Sequence, residues 1–510
     1  LLEQLKADKK DMKEVTKMRA SGILLPVASL PSKYGIGAFS KSAYKFIDQL
    51  KAAGQKYWQI LPIGPTGFGD SPYQLFSTFA GNPYFIDLET LTEEGLLTTE
   101  ECEACDFGDN PRYIDYGKLY DYRFTLLRKA YERSNIEKNE KFHEFAEENA
   151  YWLDDYALYM AVKNYYGGRS FAEWDEDIKL RKPEALKKYR KMLKDDIEYH
   201  KFIQFLFSTQ WYKLKTYAND NGIQIIGDIP IYVAYDSADT WSHPELFQLD
   251  ENYNPIAVAG CPPDAFTATG QLWGNPLYDW EYHKKTGYEW WISRISYSFK
   301  LYDVVRIDHF KGFDEYYSIP YGEKTAVNGH WEKGPGYDFF RTLNERLGRL
   351  NIIAEDLGYI TESTRKLLEM TGYPGMKVLE FAFDSREESD YLPHNYNKNC
   401  VVYTGTHDND TIKGWFESIS REDRNYALRY LNIDERDTDN IHWILVRLAM
   451  QSVADICIIP VQDYLGLGSE ARINIPSTVG GNWRWRLLDG ELTEDLLMKI
   501  REITSLYGRC

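Results

Sequence analysis

No run of eighteen or more apolar residues occurs in the 510-residue chain, so nothing in it reads as a membrane span, and no charged-then-apolar leader opens it. A soluble, cytoplasmic protein is the expectation. Basic tracts are missing as well: 60 Lys and Arg against 78 Asp and Glu give a net charge of −18, with nothing to offset phosphate repulsion. That balance argues against nucleic acid or an anionic membrane as partner and favours a neutral or cationic ligand. Cysteine is sparse, with six residues at 102, 105, 261, 400, 457 and 510 that make no disulfide framework and fit a reducing compartment. Cys102 and Cys105 have the gap of a zinc or redox motif, but with no second pair, nearby His or flanking strand they read as unrelated thiols. Repeats, low-complexity tracts and Ser or Gly linkers are absent, so no separable module is marked. No glycine loop has the setting of a nucleotide site, and no residues have metal-ligand or calcium-loop spacing. Neither cofactor nor metal is expected.

What the chain does have is aromatic residues, 15% of the total, some of them available as stacking faces, and a recurring strand pattern. Apolar runs of strand length lie at 22–27, 57–63, 223–231, 304–310, 352–357, 378–383, 401–406 and 456–461. Eight runs with helical segments between them predict an α/β fold, a closed parallel (β/α)8 TIM barrel whose strand C-terminal ends make the working face. About 160 residues separate the second and third runs, too many for one crossover helix. Segments 119–135, 138–166, 183–194 and 195–219 have helical spacing, so a mostly helical subdomain is expected at about 86–220. A second interval, 235–300, is rich in Pro, Gly and Trp and reads as an inserted loop subdomain over the site. Residues 1–18 read as a charged surface helix or tail, leaving 19–510 as the catalytic unit.

Three of the runs end in acidic segments: Arg306-Ile307-Asp308-His309, Glu355-Asp356, and Thr406-His407-Asp408-Asn409-Asp410. Because strand side chains alternate, Arg306 and Asp308 share one face while Ile307 points into the wall or helix layer. The guanidinium keeps Asp308 ionised, as a nucleophile must be. Glu355 follows Ile352, Ile353 and Ala354, where desolvation favours the protonated form of a general acid. His407 and Asp408 are suited to holding hydroxyls and stabilising positive charge, although a third carboxylate is harder to derive. Each acid singly is explained as a strand-end ion pair or helix cap. Together they match glycosidic bond cleavage, where one carboxylate attacks and another protonates the leaving oxygen.

The segments Arg306 to Phe310, Ile353 to Gly358 and Gly405 to Thr411 resemble the signatures of the 4-α-glucanotransferases, also called amylomaltases or disproportionating enzymes, of glycoside hydrolase family 77. The likeness continues through 67–73, 227–234 and 262–278 and covers the chain from about residue 20 onward. The resemblance implies Asp308 as nucleophile, Glu355 as general acid/base and Asp408 as transition-state stabiliser. It also implies that Arg306 holds Asp308, that His309, His407 and Asp228 complete the donor-side pocket, and that Ser71 and Tyr73 bind the same sugar. Asp264 and Trp273 would lie on a loop covering the acceptor side. Asn474 finishes the eighth loop and is counted with the substrate-binding residues, whereas Trp483 and Trp485 read as packing. Phe68 stands where many relatives carry Tyr, which removes a hydroxyl from an accessory contact. Maltooligosaccharides and α-1,4-glucans are the implied donors and acceptors, glucose an acceptor, and the chain a monomer or weak homo-oligomer. An amylase-like hydrolase is the alternative, and a non-catalytic glucan-binding protein the reading from another class.

Overall fold

The computed structural model describes residues 19–67, 69–263 and 267–510, so the readings made for residues 1–18, Phe68 and Asp264 lie outside the described residues. Eight parallel strands make the main sheet: β1 (Ala20–Leu24), β2 (Tyr57–Gln59), β3 (Gln224–Ile229), β6 (Val304–Ile307), β9 (Ile352–Ala354), β10 (Gly375–Val378), β11 (Cys400–Tyr403) and β12 (Ile456–Pro460). Their spatial order is β10-β11-β12-β1-β2-β3-β6-β9. The seam between β9 and β10 is closed by the Ala354 N–H to Pro374 carbonyl bond, 3.0 Å, and by the Asp356 carboxylate accepting from the Met376 N–H at 2.6 Å. The fold is a (β/α)8 barrel.

Strand alternation sorts the core into two layers. Leu24, Ile226, Val304, Ile353, Met376, Val378, Val401, Tyr403 and Ile458 form the cluster filling the barrel. Their neighbours Ile23, Ile225, Val305, Ile307, Ile352, Val402 and Ile459 face the helices in a separate, larger cluster. Ile307 therefore belongs to the helix layer. The β3 to β6 register sets Asp228 against Arg306, so both charged groups follow the inward row of Ile226 and Val304. Gly227 is required just before Asp228, since a Cβ there would lie 2.1 Å from the Tyr302 ring.

The sixth strand differs from the sequence reading. Gly375–Val378 is the strand, and the run expected to hold it, 378–383, contains a short 3-10 helix at Leu379–Phe381. Gly375 opens the strand because Asp356 lies where its Cβ would be, at 2.4 Å. Pro374 and Gly375 thus make the entry to this strand.

Between β2 and β3 the longer helices are Tyr116–Arg133, Glu140–Glu148, Ala150–Tyr165, Pro183–Met192 and Lys194–Asp220. Asp115 and Asn139 cap two of them through N–H groups at Lys118 and Phe142. The 235–300 interval is not only loops, as expected, but contributes β4 (Ala257–Cys261) and β5 (Gln271–Pro276). These join β7 (Glu315–Pro320) and β8 (His330–Lys333), from the excursion after β6, in an antiparallel sheet of order β5-β4-β7-β8. Helix Glu289–Leu301 then returns the chain to β6. Among the described residues no helix is long and apolar enough to cross a membrane.

Candidate active site

Asp228 lies within the end of β3, and at the C-terminal ends of β6 and β9 the inward rows continue one residue past the strands, to Asp308 and Glu355. Asp308 stays in line because its N–H donates to the Ile229 carbonyl at 3.0 Å, and Glu355 because its N–H donates to the Ile307 carbonyl at 3.0 Å. Asp308 and Glu355 thus inherit strand precision although neither lies in a strand.

Arg306 is the hub. Its Nη1 donates to Asp228 Oδ2 at 2.6 Å and to Asp308 Oδ1 at 3.0 Å, while Nε faces Met376 Sδ at 3.4 Å. Burial by itself would lower the guanidinium pKa; Asp228 and Asp308 outweigh burial and hold it above its ordinary value. Asp228, fully buried, is raised above the usual carboxylate range by desolvation, with Arg306 opposing. The side chain of Asp308 keeps 31% exposure against 4% for Arg306, so the carboxylate is reachable while its counter-ion is not.

Glu355 has both oxygens occupied by backbone donors, the His309 N–H at 2.7 Å and the Leu357 N–H at 2.8 Å. Those bonds favour the carboxylate, yet burial and then the neighbouring charge of Asp308 prevail and lift its pKa to about 7. His309 reaches this position in the left-handed region, φ 52°, and its ring stands edge-on to Trp273 at 5.0 Å. Burial pulls the imidazole down to about 4, so it is neutral, and Nε2 is buried without a partner among the described residues.

The opposite wall comes from the loops after β2, β11 and β12. Tyr73 stacks on His407 at 5.0 Å, donates to Asp228 Oδ2 at 2.9 Å and lies 3.4 Å from His407 Nδ1. Burial, followed by Asp228, raises the phenol well above its ordinary range. Asp408, 48% exposed, accepts from Asn474 Nδ2 at 2.6 Å and lies 3.4 Å from His407 Nε2. Arg472 holds the same loop through the Asp408 carbonyl at 2.7 Å. Ser71 sits one turn from Tyr73, its Oγ accepting from the Tyr73 N–H at 3.3 Å.

The structure therefore gathers Tyr73, Asp228, Arg306, Asp308, His309, Glu355, His407, Asp408 and Asn474, with Trp273 against His309. Trp273 is on strand β5 and not on a loop, its indole N–H donating to Gln271 at 3.0 Å. Trp483 tilts onto both Tyr73 and His407, at 6.0 and 5.9 Å, whereas Trp485 is 1% exposed core. Among the described residues no three His, Cys, Asp or Glu are grouped to hold a metal ion.

Sequence reasoning missed Asp463. This buried carboxylate accepts from Thr404 Oγ1 at 2.5 Å and from the Ile412 N–H at 2.8 Å, tying together the two stems of the loop that carries His407 and Asp408. Burial lifts its pKa to about 7. The signal was present, since Asp463 follows the eighth apolar run as the other acids follow theirs. Glu380 lies behind the same loop, raised well above its ordinary range by burial and by Asp463 and Asp410.

A parallel barrel with a guanidinium-bridged carboxylate beside a second carboxyl of raised pKa at its strand ends is the architecture of a barrel enzyme. The 4-alpha-glucanotransferase family model matches residues 25–492. The chain is 54% identical over 486 residues to the 4-alpha-glucanotransferase of Clostridium butyricum, across 95% of this chain and 99% of that protein. It is 50% identical over 496 residues to that of Streptococcus pneumoniae, across 97% and 98%. Its structure is similar to that of the amylomaltase from Streptococcus agalactiae in complex with acarbose, with a TM-score of 0.93, 45% identity and coverage of 96% and 99%. The chain belongs to the 4-alpha-glucanotransferase family.

Proposed function

We propose that this 4-alpha-glucanotransferase moves a segment of an α-1,4-glucan to the 4-hydroxyl of another glucan or of glucose by retaining double displacement. Asp308 attacks the anomeric carbon as the glycosidic C–O bond breaks, and the Glu355 proton passes to the leaving 4-oxygen. The second half reverses the roles. The incoming 4-hydroxyl gives its proton to Glu355, its oxygen bonds to the anomeric carbon, and the bond to Asp308 breaks. The observation that carries this reading is Arg306 bridging Asp308 beside a Glu355 whose pKa of about 7 suits both giving and taking a proton.

Arg306 fixes the nucleophile, and Asp228 leaves Oδ1 as an acceptor with no partner among the described residues. Tyr73 and His407 supply the stacked floor of the donor-side pocket, and Asp408, oriented by Asn474, stabilises charge at the anomeric carbon. Ser71, His309 and Trp273 complete the sugar contacts, with Asp264 assigned to the acceptor side. The complex of the Streptococcus agalactiae protein with acarbose supports oligosaccharide binding. One catalytic unit over 19–510, carrying inserts at about 86–220 and 235–300, belongs to the same proposal. So do cytoplasmic residence and a monomer or weak homo-oligomer; none of the six cysteines is in a disulfide.

Maltotriose alone tests the activity. Longer maltooligosaccharides plus glucose at constant total reducing ends are expected; rising reducing ends with only shorter products would make the protein a hydrolase.

A further inference from the structure

We infer that Trp331 and Tyr359 form a sugar-stacking platform on the leaving-group and acceptor side of the site, for a glucose unit beyond the one adjoining the cleaved bond. The inference rests on the proposed transferase activity and extends it to two residues outside the pocket described above. Tyr359 is 84% exposed and Trp331 41%, while most aromatic side chains of the chain are core. Large rings left in water forgo burial energy, and rings grouped around one anchor call for an occupant.

The anchor is Lys311. Its ammonium lies 3.9 Å from the Trp331 ring centre and 5.5 Å from that of Tyr359, and the residue itself is 6% exposed. Nζ also donates to the Tyr359 carbonyl at 3.2 Å and pairs with Glu315 at 3.4 Å. A buried cation beneath both rings holds them from within and leaves their outer faces to solvent. Trp331 is further fixed by Tyr317, its partner across β7 and β8, packed edge-on at 5.2 Å.

The platform continues the reacting centre along the chain. Lys311 follows Asp308 by three residues and Tyr359 follows Glu355 by four, so Tyr359 is at most about 14 Å from Glu355. The donor-side groups Tyr73, His407, Asp408 and Asn474 come instead from loops after β2, β11 and β12, and β12 lies four strands from β6 around the barrel. Glu355 protonates the leaving oxygen, so rings on its side meet the leaving chain first and the acceptor afterwards. Flat apolar faces recognise the C–H face of a pyranose ring without selecting its hydroxyl pattern.

The test uses the full chain with p-nitrophenyl α-maltoside as donor and glucose, maltose, maltotriose and maltotetraose as acceptors, reading KM and kcat for each. In the Trp331→Ala, Tyr359→Ala double variant the KM for maltotetraose is expected to rise about tenfold, flattening the dependence on acceptor length. Tyr359→Phe, which keeps the ring face, should behave as wild type. Tyr359→Ala alone removes an exposed side chain and guards against a folding defect at Trp331. An unchanged length dependence in both Ala variants, or equal losses in Phe and Ala, would overturn the platform while leaving the transferase standing. If the wild-type chain transfers to no sugar acceptor, the functional reading itself is wrong and the platform falls with it.

Discussion

Glu355 is poised between opposing influences. Two backbone N–H groups pull it toward the carboxylate, and burial with Asp308 pushes it back to about 7. In the proposed mechanism formation of the glycosyl-enzyme needs the proton on Glu355, so that half-reaction should decline as pH rises through about 7. Transfer to the acceptor needs the ionised form and should decline below it. An aryl glycoside donor, whose leaving group needs no proton, should flatten only the high-pH limb. Glu355→Gln should cost about 10²–10⁴ in kcat with a glucan donor. Stability follows the same protonation. A carboxyl raised in the fold contributes stability that is complete below its unfolded pKa, about 4, and lost as pH rises through the folded value. Glu355 and Asp463 both sit at about 7, so the urea midpoint should fall between pH 5 and pH 8, and fall less in Glu355→Gln. The pairing of Arg306 with Asp308 and the desolvation of Glu355 were legible because each rests on the residue's own chain neighbours and on alternation. Asp228 was reachable only through family resemblance, since its partner Arg306 is 78 positions away.

At the scale of elements, the loop after β11 carries His407 and Asp408, the two groups proposed to meet the sugar, but does not hold itself. Asp463 ties its stems, Thr404 and Ile412, while Asn474 and Arg472 grip its tip. Asp463→Ala would leave a buried hydroxyl and a buried N–H without their acceptor and let His407 and Asp408 drift, lowering kcat by about 10²-fold. Asp463→Asn should keep most of the activity, because the Thr404 hydroxyl can turn and accept from the new amide. Transfer kinetics for the pair decide the matter: equal activity in Ala and wild type would mean that the clamp does not position the loop. The second sheet is the other lesson at this scale. Its strands β4 and β5 contain Gly and Pro and were read as loops; they pair with each other, and the sheet that steadies them is completed by β7, which pairs with β4 and comes from beyond β6, followed by β8.

For the whole molecule the decisive feature is closure. Seven of the eight strand junctions carry a parallel ladder, and the last, β9 to β10, is joined by one backbone bond and by Asp356 reaching the Met376 N–H. Asp356→Ala should cost about 1–3 kcal/mol by stranding that buried donor. The measurement is the half-life of activity on heating, and a half-life equal to wild type would mean that the seam does not limit opening. Asp356 also shows where sequence stops. Its neighbour Glu355 points into the site because residues of the same parity, Ile353 among them, line the barrel, and alternation then sends Asp356 to the seam. What the amino-acid order settled by itself was what period, composition and neighbours govern: eight apolar runs, the acids that end them, the polarity of the surface and the pairing of Arg306 with Asp308. Only the tertiary structure decided the strand order, the displaced sixth strand, the second sheet and the reach of Asp463 across the β11 loop. Those features depend on groups far apart in the chain, whose meeting is set by closure of the barrel and not by any local preference.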